Sequence, residues 1–153
     1  MATRKRPQPV RAPNARTRIL YVESSALLAA FLESDGSARR AIRAGGRIVT
    51  SALTLTEAHR AVVRARATGR MSPEQESRAL HGLRTFARRS DLLAITDQVL
   101  ERAARPFPVE PVRTLDAIHL SSVELLGEPQ LLMVVTRDVR VAQNARALGY
   151  SVV

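Results

Sequence analysis

Ile19-Leu20-Tyr21-Val22-Glu23-Ser24-Ser25-Ala26-Leu27-Leu28-Ala29-Ala30-Phe31-Leu32 is the stretch on which the fold turns. Ile19 to Val22 suit a strand buried on both faces. Glu23 follows directly, and the serine pair opens a helix in which Ala26, Leu27, Ala30 and Phe31 recur at three- and four-residue spacing. A carboxylate therefore stands at the carboxyl end of a buried strand, the edge along which open α/β sheets bind their ligands. An acid in that position is costly unless it has a partner. The rest of the chain is read for other acids that reach the same edge.

The elements downstream repeat the strand-then-helix pattern. A turn at Asp35-Gly36 leads to a short helix, Ser37 to Arg43, ending at Gly45-Gly46. Arg47 to Ser51 is the second strand, and Thr54 opens a helix that carries Ala58, Ala61, Val62 and Ala65 on one face and stops at Gly69. Ser72, Pro73 and Gln75 are a capping box with proline in the first helical turn. Ala79, Leu80, Leu83, Phe86 and Ala87 form the apolar stripe of that helix. Leu92 to Thr96 is a third strand, and Asp97 caps a helix to about Ala104. Pro106, Pro108 and Pro111 enforce an extended connection. Thr114 to Leu126 is helical, Leu131 to Val135 a fourth strand, Asp138 to Leu148 a helix, and Tyr150 to Val153 a short last strand. The expected fold is α/β, with a parallel sheet of four to five near-continuously apolar strands and helices on both faces.

Composition narrows the chemistry. At 153 residues and 45% hydrophobic content, one domain with an ordinary core is expected; with aromatics at 3%, that core is aliphatic. No apolar run approaches the roughly eighteen residues of a membrane span, and Met1 to Arg18 lacks the hydrophobic segment of a secretory signal, so a cytoplasmic location is expected. The absence of cysteine excludes disulfides, thiolate nucleophiles and cysteine-ligated metal. The net charge is +10 and Lys5 is the only lysine. Arginine pairs with phosphate and stacks on bases, which fits a nucleic-acid partner. Six of the basic residues (Arg4, Lys5, Arg6, Arg11, Arg16, Arg18) precede residue 19 with no acid among them, leaving 18 basic against 14 acidic residues in the remainder. Residues 1–17, polar and broken by prolines, read as a disordered basic arm, and residues 18–153 as the working domain.

Four acids fall at strand ends: Glu23; Glu57, in the first turn of the helix after the second strand; Asp116, in the first turn after Thr114; and Asp138, just past the fourth strand. Each has a plainer role as well. Thr54 and Glu57 have capping-box spacing, Asp116 suits a helix dipole, and Asp138 suits an N-cap. Together, on one edge of a parallel sheet, they would repel unless a cation sat among them. A hard divalent ion, Mg²⁺ or Mn²⁺, takes oxygen ligands and activates water for phosphodiester hydrolysis. Asp97 also follows a strand but is expected only to cap. The glycine fingerprints of a dinucleotide site or a P-loop are absent. His59, His81 and His119 lack metal-ligand spacing and are expected to be partly buried or surface residues.

Val22-Glu23-Ser24-Ser25-Ala26-Leu27, Thr56-Glu57, Arg113-Thr114-Leu115-Asp116-Ala117-Ile118-His119-Leu120 and Thr136-Arg137-Asp138 resemble the successive motifs of PIN-domain ribonucleases, particularly the toxins of VapBC toxin–antitoxin pairs. The resemblance spans about Arg18 to Val153. It implies a parallel sheet with the first strand central and Mg²⁺- or Mn²⁺-dependent endonucleolytic cleavage of RNA. Glu23, Glu57, Asp116 and Asp138 fall on the family's acidic positions, with Glu23, Asp116 and Asp138 as metal ligands and Ser25 and Thr136 as supporting hydroxyls. It also implies a cognate antitoxin and a second copy of the chain as partners. One departure stands out: the family usually has aspartate where this chain has Glu23. With nothing nearby visibly altered to compensate, Glu23→Asp is expected to raise activity. The alternative from another class is a catalytically impaired module that binds RNA or a protein without cutting.

Overall fold

Five parallel strands in the order β3-β2-β1-β4-β5 put the opening strand at the centre of the sheet. The computed structural model of the protein describes residues 18–44, 46–127 and 129–153. The arm expected over residues 1–17 lies outside them. The strands are β1 (Ile19–Val22), β2 (Arg47–Ser51), β3 (Asp91–Leu93), β4 (Leu132–Val135) and β5 (Ser151–Val152). β1 is hydrogen-bonded on both sides, Leu20 opposite Ile48 and Met133, which is why its residues are all apolar. Their side chains alternate between two cores. Leu20 and Val22 pack with Ala26, Leu27, Ala58, Val62, Leu83 and Phe86, whereas Tyr21 joins Leu120, Val123, Val134, Val141 and Tyr150 on the opposite face.

The helices are α1 (Ser24–Phe31), α2 (Gly36–Arg43), α3 (Ala52–Ala67), α4 (Pro73–Arg88), α5 (Asp97–Ala103), α6 (Thr114–Leu126) and α7 (Val139–Ala147). The capping box expected at Ser72 is present, with both reciprocal bonds formed. Among the described residues no helix is long and apolar enough to cross a membrane.

Three helix starts differ from expectation, each because a side-chain oxygen earlier in the chain takes the cap. Ser51 accepts from the Leu53 amide, so α3 begins at Ala52 and not at Thr54. Thr54 is instead fully buried one turn in, its hydroxyl without a hydrogen-bond partner. Glu57 consequently lies in the second turn and has no capping role. Thr96, not Asp97, caps α5, and Asp35, expected in a turn, caps α2 with bonds from the Ser37 and Ala38 amides. The third strand is also shorter than expected. It occupies the sheet edge, where Leu92 is exposed and tertiary packing gives no reason to extend it.

Candidate active site

Because β1 and β4 run in parallel and in register, Val22 beside Val135, their next residues leave the sheet side by side. These are Glu23 and Thr136. Glu23 caps α1 and is only 3% exposed, yet it is surrounded by donors. Its Oε1 accepts from the Ser24 hydroxyl at 2.6 Å and the Ser25 amide at 3.1 Å; its Oε2 accepts from the Thr136 hydroxyl at 2.7 Å and from the Ser25 hydroxyl. The direction of these bonds is fixed by the backbone. Ser25 Oγ accepts from the Arg137 and Asp138 amides at 2.8 and 3.0 Å, and Thr136 Oγ1 accepts from Asp138 N at 3.0 Å, which turns both hydroxyl protons toward Glu23. Four donors and no donor of its own suit an ionised carboxylate. Ser25 and Thr136, the expected supporting hydroxyls, both donate to Glu23 Oε2.

Glu57 reaches the same place from α3, and His119 from α6. His119 Nε2 lies 2.7 Å from Glu57 Oε2 and 3.8 Å from Glu23 Oε1, and its Nδ1 is 2.9 Å from the Tyr21 hydroxyl. Burial drives the Tyr21 pKa far above its ordinary value, so the phenol keeps its proton. The tautomer that satisfies every group has Tyr21 donating to Nδ1 and Nε2–H donating to Glu57. Burial opposes ionisation of Glu57, but the hydrogen bond and electrostatic attraction of His119, with help from Ser24, hold its carboxyl below the usual range. His119 is 1% exposed, which corrects the expectation of a partly buried or surface histidine; His59 and His81 are exposed as expected. Spacing between histidines carries no sign of this role. The available signal lay elsewhere: Asp116 and His119 are three apart on a helix, so an inward-facing acid brings the histidine to the same side.

Glu23, Glu57 and His119 offer ligand atoms all within 4.8 Å of one another. The other two acids, Asp116 and Asp138, lie outside that group. Asp116 lies in the first turn of α6, as expected. Asp138 does cap α7, with Oδ1 accepting from the Arg140 and Val141 amides at 2.8 and 3.2 Å. Both are held by Arg113, whose Nε is 3.1 Å from Asp116 Oδ2 and whose Nη2 is 3.0 Å from Asp138 Oδ2. Burial first, then repulsion from Asp138, raise the Asp116 pKa; Arg113 offsets part of this and Glu23 adds to it. Asp97, by contrast, is exposed in the first turn of α5 and makes no ion pair among the described residues. Carboxylate oxygens suit a hard divalent cation, and among the described residues Arg113 is the only arginine paired with any of the site acids.

Residues 20–147 match the PIN domain family. Ribonuclease VapC46 of Mycobacterium tuberculosis (strain ATCC 25618 / H37Rv) is 35% identical over 136 residues, covering 88% of this chain and 95% of that protein. Ribonuclease VapC35 of the same strain is 36% identical over 140 residues, covering 88% and 96%. Among solved structures, Mycobacterium tuberculosis VapC20, a sarcin–ricin loop cleaving toxin, superposes with a TM-score of 0.63 at 16% identity over 86% of this chain and 95% of that one. VapBC2 from Rickettsia felis, bound to a DNA fragment from its promoter, gives 0.63 at 13% over 88% and 97%. Those two likenesses speak for the fold; the match over residues 20–147 and the sequence identity to the ribonucleases carry kinship. With its central β1, its Glu23 cradle and its acids drawn from four separate segments, the chain belongs to the PIN-domain family, alongside the VapC ribonucleases.

Proposed function

We propose that the protein is a divalent-metal-dependent endoribonuclease and the toxin of a toxin–antitoxin pair, in keeping with relatives named ribonucleases and structural neighbours that are VapBC complexes. The observation that carries this is Glu23, a carboxylate that accepts from four donors at the carboxyl edge of the sheet, with Glu57 hydrogen-bonded to His119 and Asp116 and Asp138 bridged by Arg113. Glu23, Asp116 and Asp138 would hold Mg²⁺ or Mn²⁺, and Glu57 completes the catalytic acids. A bound divalent cation supplies water activation and charge stabilisation at the phosphorus. The protein's own contribution is preorganisation. Ser24, Ser25 and Thr136 fix both oxygens of Glu23, while Tyr21 and His119 fix Glu57, so little side-chain entropy remains to be lost when a ligand arrives.

Incubating RNA with the full chain in Mg²⁺ or Mn²⁺ and in EDTA tests the proposal: cleavage in the cation and none in EDTA is expected. One observation favours a second reading. Every oxygen of Glu23 is already engaged, and Arg113 bridges Asp116 and Asp138, an arrangement that also suits a module which binds RNA without cutting. RNA that is bound yet stays intact in both cations would favour that reading. A cognate antitoxin and a second copy of the chain are the proposed protein partners; co-purification with a co-expressed candidate antitoxin tests the first, and the oligomeric state in solution the second.

A further inference from the structure

Arg113 differs from every other side chain in the site. It precedes α6 as its N-cap residue but makes no capping bond with its side chain. It is 63% exposed, whereas the Asp116 and Asp138 side chains it bridges are 13% and 23% exposed. Among the described residues it is the only arginine within ion-pair distance of the proposed catalytic acids. Its single positive charge is thus shared between two carboxylates that a divalent cation would also need. The guanidinium stands mostly in solvent and carries one charge, so a doubly charged ion can displace it from the two carboxylates.

Displacement leaves Arg113 tethered at the mouth of the site, with a planar fork of donors and no remaining acid partner. That fork matches a phosphate diester. We propose that Arg113 exchanges partners during substrate binding: it neutralises Asp116 and Asp138 while the site lacks a cation, and grips an RNA backbone phosphate once a cation takes those carboxylates. The exchange rests on the nuclease reading. It makes phosphate capture conditional on a loaded site, because only then is the guanidinium free.

Two measurements on the full chain test it, neither of which reads cleavage. In the first, Mn²⁺ is titrated calorimetrically without RNA. Arg113→Gln should bind Mn²⁺ about fivefold more tightly than the parent, since a competing charge has gone, while Arg84→Gln on α4 should match the parent. In the second, a fluorescent single-stranded RNA is titrated in EDTA and in Ca²⁺, with its length checked afterwards. Arg113→Gln should weaken RNA binding in Ca²⁺ several-fold, lowering the salt slope by about 0.7 for one lost phosphate contact, yet leave binding in EDTA unchanged. Unchanged or weaker Mn²⁺ binding would overturn the exchange, as would an equal loss of RNA affinity in EDTA and Ca²⁺. If the parent chain bound no RNA in either condition while Arg113→Gln still tightened Mn²⁺, the nuclease reading would fall, and phosphate capture with it.

Discussion

The site has a floor and a mouth, and they are built on opposite physical terms. The floor consists of Glu23, Glu57, His119, Tyr21, Ser25 and Thr136. Most of it is shut away from water, and each polar atom named above is answered by a partner inside the protein. The mouth consists of Asp116, Asp138 and the exposed Arg113, where like charges face each other and one mobile-length side chain balances them. The pKa shifts record the contrast: Glu57 is held below its ordinary range and Asp116 is pushed above it. Preorganisation in the floor supports stability. In the mouth the protein keeps unfavourable charge, which is available to bind something cationic.

The largest effect expected from breaking this contrast is on catalysis at the mouth. Asp116→Asn keeps size and helical position but removes a charge, and single-turnover RNA cleavage should fall by roughly a hundredfold or more, whereas Asp97→Asn should leave it unchanged. Equal harm from both would show that the site acids had been separated from the caps wrongly. The same substitution should not destabilise the cation-free fold. A carboxyl whose folded pKa is raised contributes stability at low pH that is lost as pH rises through that pKa. Asp116→Asn should therefore flatten this decline in EDTA, as read by urea denaturation across the acidic range.

The floor should respond in the other direction. His119→Phe leaves the Tyr21 hydroxyl without its partner in a closed core and should cost about 2 kcal/mol of unfolding free energy. It should also remove a pH dependence of opposite sign. The depressed Glu57 carboxyl contributes stability above its unfolded pKa that is lost as pH falls through the folded one. If the variant matched the parent in both stability and acid sensitivity, the hydrogen-bonded chain from Tyr21 to Glu57 would have no energetic weight.

Glu23→Asp sharpens the comparison further, because the four donors around Glu23 alter the expectation drawn from sequence. Ser24, Ser25 and Thr136 all donate to the Glu23 carboxylate where it stands. Shortening the side chain by one methylene abandons some of those bonds. Mn²⁺ affinity and single-turnover cleavage should both fall, by about tenfold for a displacement somewhat under an ångström. Unchanged values for both would exclude Glu23 as a ligand. The smallest effect is expected from residues outside the described structure. Deleting residues 1–13 should reduce the salt dependence of RNA binding and spare cleavage at low salt, since basic residues there would act through counterion release.

Much of this was already fixed by local sequence. A short apolar run with no polar alternation, followed at once by a helix start, fits a strand covered on both faces, so Ile19 to Val22 pointed to a parallel sheet with Glu23 at its carboxyl edge. Proline and capping residues marked α4 for a similar reason, because their effect acts within one turn. What local sequence left open depended on partners distant in the chain. Ser51 and Thr54 are both acceptable caps, and only the end of β2 against β1 decided between them, moving Glu57 a turn inward to meet His119. His119 itself looked unremarkable because its partners are 98 residues away at Tyr21 and 62 away at Glu57. The hydroxyls that orient Glu23 and the arginine that bridges Asp116 to Asp138 likewise come from separate segments. Periodicity and capping are short-range consequences of backbone geometry, so a single sequence displays them. Pairings among buried polar groups arise only when the sheet brings strand ends together, and those decided what the site is.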